Sequence, residues 1–314
     1  MHILSDNNSA ILPATPWKLC LSLFQGKYAP HELWGVRKFR NKFMLRSLVM
    51  PFSTHKLLKF ITTHPSYEKI LSAQPRLPCR LHRPYLTNRL SRQDCAQAII
   101  WHYGMMPRLL GADAFNQHLD NRLKVAEFEV KSGDAYYLSF IAAHRLDREG
   151  EASLILHDAD GEMLCEITFT LCERAGKTTL MIGGIQGPNS ENAQQKVQAA
   201  TKNLYGIFPK KLVYEALITM ANLFKVESIV AVSNETHVYQ SLRYHNRQKR
   251  MHSDYNGFWE MVGGTLNAEG YYALACESSR KPMESIASKK RAEYRRRYDL
   301  LDDIALKMHT ALRV

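Results

Sequence analysis

Residues 178–190 read TTLMIGGIQGPNS. An apolar run rises to Ile182, meets Gly183 and Gly184, returns at Ile185 and ends on Gln186-Gly187-Pro188. A buried strand gains nothing in packing from two adjacent glycines and loses chain entropy on ordering them. Two readings explain the pair. One is a β-bulge with close backbone packing. The other is a strand whose backbone is opened to receive a ligand.

The segments before this strand alternate or run apolar as strands do. RLKVAEFEV (122–130), AYYLSFIAA (135–143), ASLILHD (152–158) and EMLCEITFTLCE (162–173) make four candidates. Asp160-Gly161 and Ala175-Gly176-Lys177 are hairpin turns, so an antiparallel meander is expected. After Pro188 a polar stretch is partly helical. Pro209 then opens a helix in which Leu212, Val213, Ala216, Leu217, Met220, Ala221 and Phe224 recur at helical spacing. ESIVAVS (227–233) reads as a buried strand, 235–247 as a short helix, GFWEMV (257–262) and GYYALAC (270–276) as two further strands, and 282–311 as a long basic helix.

Before the meander the pattern is helical. Residues 16–72 mix Trp17, Leu33, Trp34, Phe39, Phe43, Leu45 and Leu48 with Arg37, Lys38, Arg40, Lys42 and Arg46, as amphipathic helices with a basic face do. Residues 73–90 are a Pro- and Arg-rich connector, and 91–118 return to helix with Ser91 as its cap. The fold class expected is α+β: a basic helical region over 1–118, a mixed and mostly antiparallel sheet with helices over 119–276, and a basic C-terminal helix over 277–314.

The chain of 314 residues carries a net charge of +12. Residues 1–110 hold sixteen Lys or Arg and four Asp or Glu, whereas 111–314 hold twenty-six of each sign. The excess therefore sits in the first third. It calls for an anionic partner (a membrane surface, RNA or an acidic protein) or is a solvated surface. The six cysteines form neither CxxC nor zinc spacing, which favours a reducing compartment and no metal. The start lacks a secretory pattern and no apolar run reaches ~18 residues. The expected home is the cytoplasm, with peripheral attachment at the inner membrane left open.

GKTT (176–179) resembles a phosphate-binding loop, but Leu171 stands where that loop needs its first glycine, and the tetrad joins two strands. No GxGxxG, GxSxG or HExxH pattern follows the proper element. His144 and His157 fall near strand ends, where structural roles prevail.

The order of elements over 122–276 resembles that of GNAT-type N-acetyltransferases. The resemblance implies a sheet in which the strand holding Gly183-Gly184 splays from the next strand. The freed main chain of Gly183, Gly184, Ile185, Gln186 and Gly187 would then take the arm of an acyl-CoA or acyl carrier protein thioester. Asn203, Tyr205 and Gly206, before Pro209, would form the pyrophosphate loop at a helix N-terminus. Asn203-x-x-Gly206-x-Phe208 keeps one glycine of that pattern and lacks its leading Arg/Gln and final small residue. Asn234 and Tyr239 fall where such enzymes place groups near the leaving thiol, with Tyr244 a rival. Glu260 and Glu166 are candidate bases, and packing roles for all of these remain open.

IGGIQG, FPKKL, YNGFWEMVGG and KKRAEYRRRYDLLDDI together resemble the VirK/YbjX family of Gram-negative bacteria over most of the chain. That resemblance implies links to virulence, surface-protein expression and tolerance of antimicrobial peptides. Two functions follow as expectations: an acyltransferase using an acyl thioester, or a non-catalytic regulator binding RNA, anionic lipid or a protein through its basic first third.

Overall fold

The computed structural model describes residues 12–143, 145–244 and 254–312. His144, the leader up to residue 11 and the last part of the 235–247 segment lie outside these. Two compact units are present, Met1–Arg83 and Pro84–Val314.

The first unit is helical: α1 (Pro16–Gln25), α2 (Arg37–Val49), α3 (Pro51–Thr63) and α4 (Tyr67–Ala73). Thr15 caps α1 by accepting from the Lys18 N–H at 3.3 Å, and Gly26 closes it in a left-handed conformation that glycine adopts without strain. Pro51 starts α3 at a position where its missing N–H costs nothing. Its core includes Leu19, Leu23, Phe43, Leu57, Leu58, Ile61 and Trp34, whose indole N–H donates to the Pro75 carbonyl at 2.7 Å.

The second unit begins with α5 (Arg92–Leu119), capped by Ser91, whose hydroxyl accepts from the Asp94 N–H. Eight strands then form one sheet: β1 (Lys124–Glu129), β2 (Ala135–Ala142), β3 (Ala152–His157), β4 (Met163–Arg174), β5 (Lys177–Gln186), β6 (Ser228–Val232), β7 (Thr265–Leu266) and β8 (Tyr271–Leu274). Their order is β1-β2-β3-β4-β5-β6-β8-β7. Every pair is antiparallel except β5–β6, which is parallel because α6 (Ala193–Asn203) and α7 (Pro209–Leu223) carry the chain back between them. The fold is α+β, with a basic helical first part and a mixed, mostly antiparallel sheet flanked by helices.

GFWEMV is not a strand. It lies in helix α8 (Tyr255–Met261). Asp254 caps this helix by accepting from the Gly257 N–H at 3.1 Å, and Gly257 leaves room for that carboxylate. Phe258 and Trp259 are buried, and the Trp259 indole donates to the Val232 carbonyl at 2.9 Å. Aromatic residues suggested a strand, but a good cap decided for a helix. The 235–244 stretch forms two short 3-10 turns, Val238–Gln240 and Leu242–Tyr244. The last helix, α9 (Ser288–Leu312), starts later than expected.

Candidate functional site

The ladder between β5 and β6 runs from Thr179↔Ser228 to Ile182↔Ala231 and stops there. Both strands continue. β6 reaches Val232, paired on its other side with Tyr271. β5 runs on through Gly183 and Gly184 to Gln186, paired on its other side with Glu166 of β4. From the glycine pair on β5 runs past the end of β6, leaving one edge of β5 unladdered.

The glycines have a second cause. The register of β4 with β5 passes from Thr168↔Gly184 to Phe169↔Ile182, so Gly183 is an extra residue in a bulge. A Cβ on Gly183 would collide with the Glu149 carbonyl, and one on Gly184 with the Glu149 carboxylate. A bulge and an unladdered edge coincide here. The β2–β3 connection is tucked against the sheet at this point, with Asp147, Arg148, Glu149 and Glu151 all buried. Connections usually run on the surface because buried backbone polar groups need partners. Here the Glu149 N–H donates to Leu146 O, and the Glu151 N–H to Phe169 O.

The sheet has two unlike faces at this end. Phe140, Leu154, Ile167 and Ile185 are register partners across β2–β5 and are buried on one face. The next row, Ser139, Ile155, Glu166 and Gln186, and the row Ile141, Ser153, Thr168 and Gly184, face the other way. This second face is polar yet buried. Ser153 and Thr168 hydroxyls pair at 2.9 Å, as a buried polar group requires.

Over that polar face stands a cluster of chemical interest. Gln186 Nε2 donates to both oxygens of Glu149, at 3.1 and 3.3 Å. His237 Nε2 lies 3.9 Å from Glu149 Oε2. The Tyr239 N–H donates to His237 Nδ1 at 3.3 Å, so in the neutral ring the proton is on Nε2, facing the carboxylate. That buried nitrogen has no hydrogen-bond partner among the described residues. The Tyr255 ring lies 5.0 Å from that of His237. Burial raises the Tyr255 hydroxyl well above the usual phenol range and Glu149 adds to this. The Ile185 main chain acts in the opposite sense. Burial likewise lifts the Glu166 carboxyl above the usual carboxylate range; the Ser153 hydroxyl and Arg145 oppose the rise and Glu149 reinforces it. Two buried carboxylates, an imidazole and a phenol thus meet where β5 leaves β6.

Of the residues singled out in the sequence, Gly183, Gly184, Ile185 and Gln186 form this edge, and Gly187 follows with open space at its Cβ. Asn234 positions Tyr255, accepting from its N–H at 2.9 Å while its own amide donates to Asp254. The Tyr239 ring lies tilted 5.1 Å from that of His237, and Tyr244 lies 5.3 Å beyond Tyr239. Glu260 is on the exposed side of α8, accepting from the Tyr272 hydroxyl at 2.8 Å. Asn203 faces the β1–β2 turn, bonded to the Tyr136 hydroxyl and the Lys131 N–H. Tyr205 and Gly206 make a left-handed turn whose Tyr205 carbonyl accepts two bonds from Arg297. Gly206, Ile207 and Phe208, at the N-terminus of α7, open into a pocket of about 250 Å³ with Lys211, Lys281, Arg297 and Tyr298 in its wall. Phe208 leans on Phe258, edge to face, at 6.3 Å.

Glu149, His237 and Tyr255 escaped the sequence reading. Tyr255 opens the quoted YNGFWEMVGG and could have been found there. Glu149 sits in an unpatterned charged loop, DREGE, and no signal marks it. Among the described residues no group of three His, Cys, Asp or Glu side chains could hold a metal ion.

Residues 32–310 match the family model described as "Protein of unknown function (DUF535)". The chain is 45% identical over 296 residues to "Uncharacterized protein YbjX" of Escherichia coli (strain K12), covering 94% of this chain and 90% of that protein. It is 26% identical over 251 residues to an "Uncharacterized protein" of Haemophilus influenzae, covering 80% and 82%. It is 25% identical over 221 residues to a protein of Mannheimia haemolytica named "Membrane protein LapB", covering 69% and 90%.

Proposed function

This chain belongs to the DUF535 family, the VirK/YbjX family, and from that premise we propose that it is an acyltransferase moving an acyl group from a thioester to an amine. The observation that carries the reading is the end of the β5–β6 ladder at Ile182 and Ala231 while both strands run on. An unladdered β5 edge suits the amide-rich arm of acyl-CoA or of acyl carrier protein, which can pair with it as an added strand would.

The residues present fit such a donor in two places. The edge from Gly183 to Gln186 supplies main-chain groups, and the α7 N-terminus with Lys281 and Arg297 supplies positive potential where a diphosphate would lie.

The chemistry needs three services. Main-chain N–H groups at the edge of β5 polarise the thioester carbonyl. Glu166, with Glu149 beside it, accepts the proton lost by the attacking amine, and burial raises the Glu166 carboxyl toward neutral pH, as a general base requires. The amine nitrogen bonds to the carbonyl carbon, the carbon–sulfur bond breaks, and the leaving thiolate takes a proton from Tyr255, with Tyr239 the second hydroxyl above His237. The family link to surface-protein expression and antimicrobial-peptide tolerance, with a relative named as a membrane protein, directs the search for the amine to envelope components.

The test is a thermal-shift series with acetyl-CoA, long-chain acyl-CoA and acylated carrier protein. One of these donors is expected to raise the melting temperature, since a ligand of the folded state alone stabilises it. Gly187→Val, placed in open space beside the edge, is expected to keep the fold and lose the shift. No shift with any donor overturns the reading.

A further inference from the structure

Nine large hydrophobic side chains stand exposed among the described residues, and six of them are in the first unit: Trp17, Val36, Leu45, Leu48, Val49 and Phe52. Exposed apolar residues scattered singly need no explanation. These are not scattered. Leu45, Leu48 and Val49 recur at helical spacing on α2, and Phe52 follows in the first turn of α3, with exposures of 65, 69, 71 and 88%. Trp17, 67% exposed, shares with Leu48 and Pro51 the wall of an apolar groove of about 240 Å³.

The charge around this patch has one sign. Residues 33–67 contain seven Lys or Arg and no Asp or Glu. Arg37, Lys38 and Lys42 are exposed on the same face of α2 that carries Leu45 and Leu48 farther on, and Lys59 is exposed on α3. The helix face is therefore basic in its first half and apolar at its end, where Pro51 turns the chain.

We propose that the α2–α3 corner is a docking surface for an anionic lipid bilayer. Leu48, Val49 and Phe52 enter the acyl boundary, Trp17 sits at headgroup depth, and Lys38 and Lys42 meet lipid phosphates. Nucleic acid would match the charge but has no use for an aliphatic tip of Leu45, Leu48 and Val49. An amphipathic corner of this kind lies in the interface without spanning it, and no helix among the described residues is long and apolar enough to cross a membrane.

The experiment is sedimentation of the full chain with extruded vesicles, either phosphatidylethanolamine with phosphatidylglycerol or pure phosphatidylcholine. Binding to the anionic vesicles and not to the zwitterionic ones is expected. Leu45→Ser/Val49→Ser/Phe52→Ser should weaken binding at least about tenfold, given the apolar burial lost. Its unfolding midpoint should not change, since these side chains are exposed. Lys38→Gln/Lys42→Gln should weaken it roughly 30-fold, at about 1 kcal/mol per charge. Brominated lipid in the anionic vesicles should quench fluorescence of the unaltered protein more than that of Trp17→Phe. Failure of the wild type to sediment, equal binding to both vesicle types, or an unweakened triple variant overturns the proposal. Tight binding to a short RNA that the triple variant retains overturns it in favour of a nucleic-acid surface.

Discussion

The carboxylate of Glu149 occupies the space a Cβ on Gly184 would need, and the Glu149 carbonyl does the same at Gly183. The two obstacles differ in kind. At Gly183 the blocking atom is backbone; at Gly184 it is the end of a side chain. Gly183→Ala should destabilise the protein by about 2–3 kcal/mol, as overpacking does. Gly184→Ala should cost less and be relieved in part by Glu149→Ala, a coupling that a double-mutant cycle from urea titrations would measure. Additive effects would contradict the contact.

Glu149→Gln and Glu166→Gln should each lower acyl transfer by about 100-fold or more, the usual share of a positioned base. Donor-induced thermal stabilisation should survive in both. Rate profiles against pH separate a base from a structural residue, because loss of the Glu166 carboxylate should move the acid limb of the profile.

Tyr255→Phe removes the proton for the leaving thiolate. Turnover with a thioester donor should fall at least about tenfold. An activated donor whose leaving group needs no proton should restore most of it. Equal loss with both donors would assign Tyr255 to packing alone.

Trp259 is wholly buried and its indole N–H donates to Val232 O at the end of β6. Trp259→Phe should cost about 1–3 kcal/mol, since a buried carbonyl is left unpaired. Equilibrium unfolding gives the value directly, and an unchanged midpoint would contradict the bond.

Acid sensitivity follows from two wholly buried histidines. Burial lowers His102 to about 3 and His118 to about 4. The Leu171 N–H donates to His102 Nδ1 at 3.1 Å, and His118 Nδ1 donates to Phe140 O at 3.2 Å. In the unfolded chain both take up protons below about 6.5, whereas in the fold neither does until about pH 4. Their stabilising effect is whole above about 6.5 and shrinks as pH falls toward 4, by about 1.4 kcal/mol per pH unit for each. Urea titrations between pH 7 and 5 should show a shallower slope for His118→Gln than for wild type. Identical slopes would contradict it.

Much of the sheet was legible because its signals are local. RLKVAEFEV alternates, Gly161 and Ala175-Gly176 supply the left-handed residues of the two hairpin turns, and Pro209 precedes a clean helical spacing. The glycine pair was also legible, as a place where β5 would differ from an ordinary strand. What stayed hidden depends on contacts far along the chain. Ser153 and Thr168 look solvent-facing in a strand pattern, yet they are buried under a loop. Glu149 gains its meaning only from Gly183, Gly184, Gln186 and His237, up to eighty-eight residues away. The helix at Tyr255–Met261 was misread because its aromatics outweighed a single capping Asp254.

The parting of β5 from β6 beyond Ile182 and Ala231 is the relationship on which a donor site depends. Amide hydrogen exchange at Gly184–Gly187, followed by NMR with and without acyl-CoA or acylated carrier protein, measures it residue by residue. Slowed exchange confined to these amides is expected when the donor binds. Unchanged exchange there at saturating concentrations of every donor would contradict a thioester held along this edge.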